Sequence, residues 1–143
     1  GIVLGGRFDI FEGKYDNPRD DWADTPYEDI SRNISRYPGI SGGLKLDCKM
    51  NQWNLVVDAD YKGKMYIDLT EPADPGDVKI HKTESFVIVD AKISKEFFDR
   101  YKLYFGVENL NGYTQEEKHI DDAAFLYAPV YGRLFYGGIQ ISL

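Results

Sequence analysis

The chain has 143 residues, the length of one domain, and its 43% hydrophobic and 15% aromatic content excludes a disordered polymer. No stretch approaches the roughly eighteen uninterrupted apolar residues of a membrane helix, and a net charge of −7 argues against a nucleic-acid partner, which normally demands a basic face. The single cysteine, Cys48, rules out an internal disulfide, and with only two separated histidines it builds no metal cluster.

Gly1-Ile2-Val3-Leu4-Gly5 has neither a basic start nor a cleavage site, so any secretory signal is expected upstream. From there the apolar residues recur with period two in six stretches, and helical spacing is almost absent. In the first stretch Leu4, Gly6, Phe8 and Ile10 oppose Gly5, Arg7 and Asp9. In the second, Ile40, Gly42, Leu44, Leu46, Cys48 and Met50 oppose Ser41, Gly43, Lys45, Asp47 and Lys49. The third sets Trp53, Leu55, Val57, Ala59 and Tyr61 against Asn54, Val56, Asp58, Asp60 and Lys62. The fourth sets Val87, Val89, Ala91 and Ile93 against Phe86, Ile88, Asp90 and Lys92. Leu103, Phe105 and Val107 oppose Lys102, Tyr104 and Glu108 in the fifth, and Phe135, Gly137, Ile139, Ile141 and Leu143 oppose Leu134, Tyr136, Gly138, Gln140 and Ser142 in the sixth.

The pattern predicts an all-β fold, a six-stranded antiparallel up-and-down meander. Its runs of about nine to eleven residues match a tilted strand crossing a bilayer better than the five or six usual in soluble sheets. The connections alternate, long at 12–39, 64–85 and 111–132 and short near 51–52 and 96–100, as in outer-membrane barrels with long extracellular loops and short periplasmic turns. The three long loops together carry a charge of −8, whereas the remaining residues sum to +1. Strand charges fall on the polar face, where Lys45, Asp47, Lys49, Asp58, Asp60, Lys62, Asp90 and Lys92 are expected to pair between neighbours. The same alternation also fits a two-layer soluble sheet with one solvated face.

Three ordered stretches carry a family resemblance. Phe105-Gly106-Val107-Glu108-Asn109-Leu110, followed by Tyr113, resembles the "G-V-x-N-L … Y" stretch closing the penultimate strand of TonB-dependent outer-membrane receptors. Pro129-Val130-Tyr131-Gly132-Arg133-Leu134-Phe135-Tyr136-Gly137-Gly138 resembles the "P-x-x-G-R-x-F-Y-x-G" opening of their final strand. Tyr61-Lys62-Gly63-Lys64-Met65-Tyr66, with Ser85-Phe86-Val87-Ile88-Val89-Asp90, is similar to their "Y-x-G-x-M-Y … S-F-x-x-x-D" region. Together these cover about residues 61–143; residues 1–60 match in strand pattern alone, and Leu143 stands where the family commonly ends on an aromatic residue.

The resemblance implies that residues 1–143 are the carboxyl-terminal segment of such a barrel, sited in the bacterial outer membrane, its plug domain absent. The parent would take up a scarce nutrient such as a ferric siderophore or cobalamin, with outer-membrane lipid, the ligand and, through the plug, the TonB complex as partners. Six strands are fewer than the roughly eight of the smallest membrane barrels. An isolated segment is therefore expected to close into a small barrel, pair with another copy or aggregate.

No catalytic constellation emerges, so no enzyme is expected, nor any cofactor. Asp16, Asn17, Asp20, Asp21 and Asp24 lack the spacing of a calcium loop and read as a solvated acidic loop; Asp58 and Asp60 read as ion-pairing residues. His81 and His119, in separate loops, lack fixed ligand spacing. The loop aromatics Tyr15, Trp22, Tyr27, Tyr37, Tyr113, Phe125 and Tyr127 are the candidate ligand-binding residues. Those near strand ends, with Tyr61, Tyr66 and Tyr131, equally fit an interfacial girdle. Two other functions are carried: a soluble lipocalin-like small-molecule-binding barrel, with more and shorter strands and apolar side chains inward, and a surface adhesion module.

Overall fold

The computed structural model describes residues 1–18, 24, 26, 28–66, 82–115 and 127–142, with the backbone alone at residue 30. Six strands form, β1 (Ile2–Ile10), β2 (Ile40–Met50), β3 (Trp53–Lys62), β4 (Phe86–Phe97), β5 (Tyr101–Glu108) and β6 (Leu134–Ile141), with one helical turn, α1 (Glu28–Ser31). They lie in one sheet in the order β1-β2-β3-β4-β5-β6, so β1 and β6 are its edges and the sheet is not closed. The expected all-β meander is what forms, within a residue or two of the alternating stretches at most ends.

Sequence neighbours pair antiparallel because two of the connections are tight turns. Between β2 and β3, Asn51 adopts a φ of 53°, a left-handed conformation that asparagine tolerates. Between β4 and β5, Arg100 N–H donates to the Phe97 carbonyl at 3.2 Å, and Phe98 and Asp99 both take positive φ, 50° and 54°. That is the geometry of a primed hairpin turn, whose twist matches the flanking strands. The long connections leave from the opposite end of the sheet.

The register follows from a few bonds. Gly1 and Lys49 exchange both backbone hydrogen bonds, at 2.6 and 2.7 Å, which sets Arg7 opposite Gly43. Gly63 N–H donates to the Ile40 carbonyl at 2.8 Å, which sets Gly43 in turn opposite Asp60. Gly43 thus lies between Arg7 and Asp60, and the two charges meet at 3.8 Å across it; a Cβ there would stand 2.9 Å from the Asp60 carboxylate. Lys45 pairs with Asp58 at 3.4 Å and Lys49 with Asp47 at 3.8 Å. Two charges expected to pair are used otherwise. Asp90 accepts the Asn109 backbone N–H at 2.7 Å, and the Lys92 ammonium sits 4.8 Å from the Tyr104 ring centre.

On the same face Tyr136 lies across Gly106, its direct partner, and Tyr104 across Gly138. A large ring over a residue without a side chain covers backbone that would otherwise be bare. As a result the polar and tyrosine face is the better covered one: Lys102, Tyr104, Tyr136 and Gly138 are half-buried, and Ser94 and Gly106 are buried. The apolar face is the more exposed, with Leu4 72%, Leu44 62%, Phe105 53% and Ile139 66% exposed, while Leu46, Val57, Val89 and Ala91 at its middle are half-buried. Among the described residues the buried large hydrophobics are Met65, Phe86 and Val107.

The chain divides into two compact units. The first, Gly1–Phe8, Gly42–Tyr61 and Phe86–Leu143, holds most of the sheet. The second, Asp9–Ser41 and Lys62–Ser85, holds α1 and three isolated bridges, Lys14 with Asn33, Pro38 with Met65 and Tyr66 with Lys82. Here Met65 and Thr83 are buried together: Met65 N–H donates to the Thr83 hydroxyl at 3.0 Å, and Thr83 N–H donates to the Met65 carbonyl at 2.9 Å. The α1 turn has Glu28 and Asp29 at its start, favourable to the helix dipole, and Ser31 Oγ donates to the Glu28 carbonyl at 2.6 Å. Four residues are too few to leave a periodic signal, which is why alternation alone did not reveal it.

Candidate functional site

Of the seven loop aromatics, the described residues include Tyr15, Tyr37, Tyr113 and Tyr127; Trp22, Tyr27 and Phe125 lie outside them, as do Asp20, Asp21, His81 and His119. In the second unit Tyr37 packs on Phe11, ring centres 4.1 Å apart and tilted 47°. Tyr37 and Tyr15 keep about half of their surface exposed, the disposition of rings free to meet a ligand. Tyr15 is held by its backbone N–H, which donates to the Arg32 carbonyl at 2.8 Å, and Arg32 is paired with Glu28 at 3.3 Å. In the same unit the Lys82 ammonium lies 4.3 Å from the Tyr66 ring centre, and Lys64 pairs with Glu84 at 3.0 Å.

Tyr113 and Tyr127, in the first unit, have a different surrounding. Both pack on buried Phe86, Tyr113 stacked at 4.9 Å and 7° and Tyr127 tilted at 6.2 Å and 47°. Next to them Asn109, 5% exposed and with a φ of 54°, uses both ends of its side chain. Its Nδ2 donates to the carbonyls of Tyr113 at 2.6 Å and Tyr131 at 3.1 Å, and its Oδ1 accepts the Tyr113 N–H at 2.9 Å. Beyond the end of β5 the Asn111 amide bonds the β4 backbone, accepting from Val89 N–H at 3.1 Å and donating to the Val87 carbonyl at 2.8 Å. Arg133 Nε donates to the Leu110 carbonyl at 2.7 Å, and buried Gln115 accepts the Tyr127 N–H at 3.2 Å.

Two of the three stretches that carry the resemblance, 105–113 and 129–138, are therefore bonded to each other through Asn109 and Arg133. Tyr113 and Tyr127 are packing residues of this lock, whereas Tyr15 and Tyr37 keep the exposure a binding role needs. The sequence shows Phe86 and Asn109 only as members of the motifs that carry the resemblance, and it does not single out Gln115. Phe86 did leave a signal, since it is an aromatic residue on the polar side of its strand.

An open depression of about 540 Å³ on the apolar face is lined by Gly6, Phe8, Gly42, Leu44, Tyr61 and Val87, among others. A specific small-molecule site needs convergent polar groups, and this lining is almost wholly apolar. Among the described residues no group of three or more His, Cys, Asp or Glu is arranged to hold a metal ion, and no helix is long and apolar enough to cross a membrane, which says nothing of strands.

These features define a class, an open antiparallel meander with a more exposed apolar face and a polar face knit by ion pairs and tyrosines. No protein-family model matches the chain, and no curated protein matches it significantly.

Proposed function

We propose that the six strands are part of the wall of an outer-membrane β-barrel of the TonB-dependent receptor type, with the apolar face toward lipid and the long loops extracellular. The loops capture a scarce nutrient, and the rest of the barrel and its plug carry out uptake. The observation that carries this reading is the exposure of the two faces. Fully burying one Leu or Phe contributes about 1.5–3 kcal/mol, and here large apolar residues stand exposed on all six strands, whereas Tyr104 and Tyr136 of the other face are half-buried. A ligand-binding barrel in water has the reverse arrangement, apolar side chains inward. Strands of eight to twelve residues suit a bilayer crossing. The receptor type rests on the three sequence resemblances, two of which meet in the Asn109 and Arg133 lock.

Capture is tested on outer membranes carrying the chain, titrated with a ferric hydroxamate siderophore, cyanocobalamin and a maltooligosaccharide. Tyr37→Ala is expected to weaken binding of one probe by about fivefold or more, the threshold of a contributing contact, with the urea midpoint unchanged. Tyr113→Ala is expected to lower the urea midpoint first, because its ring rests on Phe86. Binding of all three probes that is indifferent to Tyr15 and Tyr37 would remove these residues from the capture site.

A further inference from the structure

The strand positions of the apolar face carry a single ionic side chain, Lys95 of β4. Glu96 N–H donates to the Gln52 carbonyl at 2.9 Å, a register that puts Lys95 opposite Trp53, next to the tight turn at 51–52. Its ammonium lies 4.8 Å from the Trp53 ring centre and 4.9 Å from that of Phe97, and Tyr101 stands opposite Phe97. Trp53 and Tyr101 each expose nearly half of their surface. Among the described residues Lys95 makes no ion pair. Glu96, its neighbour, alternates to the other face and pairs with Lys102 at 3.6 Å.

We propose that Lys95, with Trp53, Phe97 and Tyr101, forms a phospholipid headgroup site at the tight-turn rim of the apolar face, its ammonium pairing with the headgroup phosphate. The proposal rests on the lipid-facing reading of that face. A lysine on a lipid-facing strand costs about 2–4 kcal/mol at the midplane but about 0–1 kcal/mol near the interface. Lys95 therefore marks a depth, with its ammonium held against the two rings at the rim. Tryptophan and tyrosine favour the same depth, because each has an apolar body and a polar tip. On β3, Tyr61 lies eight residues beyond Trp53, about 27 Å along the strand and about 19–22 Å along the membrane normal at the usual barrel tilt, so the two rings span most of the roughly 25 Å apolar band of such barrels. A phosphate layer is the source of anions at that boundary, and it supplies the anionic partner that the described residues do not.

The test uses the whole chain with Trp22→Phe, which leaves Trp53 as the sole tryptophan, folded into phosphatidylglycerol vesicles whose lipids are brominated either near the carbonyls or near the acyl ends. Trp53 fluorescence is expected to be quenched mainly by the shallow bromines. Lys95→Gln is expected to weaken partitioning into phosphatidylglycerol vesicles about fivefold, and Lys95→Arg to retain it. In dodecyl maltoside, which has no phosphate, all three proteins are expected to unfold at the same urea concentration. Deep quenching, unchanged partitioning of Lys95→Gln, or an equal loss in maltoside overturns the headgroup site and leaves the lipid-facing reading standing. If neither set of bromines quenches Trp53, both are overturned.

Discussion

Asn109 combines a left-handed backbone with a buried side chain whose donors and acceptor are all engaged, and that combination explains why an amide is needed there. Alanine would remove the side-chain bonds to the Tyr113 N–H and to the Tyr113 and Tyr131 carbonyls, in a backbone conformation unfavourable to a Cβ. Asn109→Ala is expected to cost about 2–3 kcal/mol in a urea titration of the chain in detergent micelles. Asn109→Gly is expected to cost less, since it loses the same bonds but relaxes the positive φ. A loss below about 0.5 kcal/mol for Asn109→Ala, the scale of an ordinary surface change, would show that the lock does not hold the loop to the strands. By contrast Arg7 and Asp60, both more than half exposed, form a pair worth at most about 1 kcal/mol, so their removal is expected to be mild. The importance of Asn109 was legible only as part of a resemblance. A single asparagine after a strand has no period to reveal it, and its partners lie up to 23 residues away.

The strands were legible because one chemical rule acts at every position: with period two, a residue's parity decides its face, and an unbroken run such as Ile40–Met50 leaves no choice. Loops have no such rule. The helical turn α1 and the bridge between Tyr66 and Lys82 depend on contacts between distant residues. The turn between β4 and β5 shows the limit of local preference. Primed turns favour Asn-Gly, yet Phe98 and Asp99 occupy both positive-φ positions, and Phe98 is 85% exposed, with no burial to compensate. Replacing the pair as Phe98→Asn with Asp99→Gly is expected to raise stability by about 1 kcal/mol or more, read as a higher urea midpoint with an unchanged slope. A lower midpoint would mean that the aromatic ring has a contact beyond its own turn.

At the scale of the whole molecule, the sheet has two unpaired edges and a broad apolar face, both liabilities in water. The proposed barrel wall would resolve both, since further strands would pair the edges and acyl chains would cover the face. In that proposal the ion pairs Arg7 with Asp60 and Lys45 with Asp58 would line the side away from lipid. The candidate binding residues divide along the same logic: Tyr113 and Tyr127 hold the loop end together, and Tyr15 and Tyr37 remain open to a ligand. The most direct measurement dilutes the urea-unfolded chain into phospholipid vesicles and, separately, into buffer without lipid or detergent. Far-UV circular dichroism and trypsin protection at Lys45, Lys62 and Lys92 are then recorded in each. The account predicts strong β signal and protected lysines in vesicles, with aggregation in buffer. A soluble, monomeric chain of equal β content in buffer would contradict it.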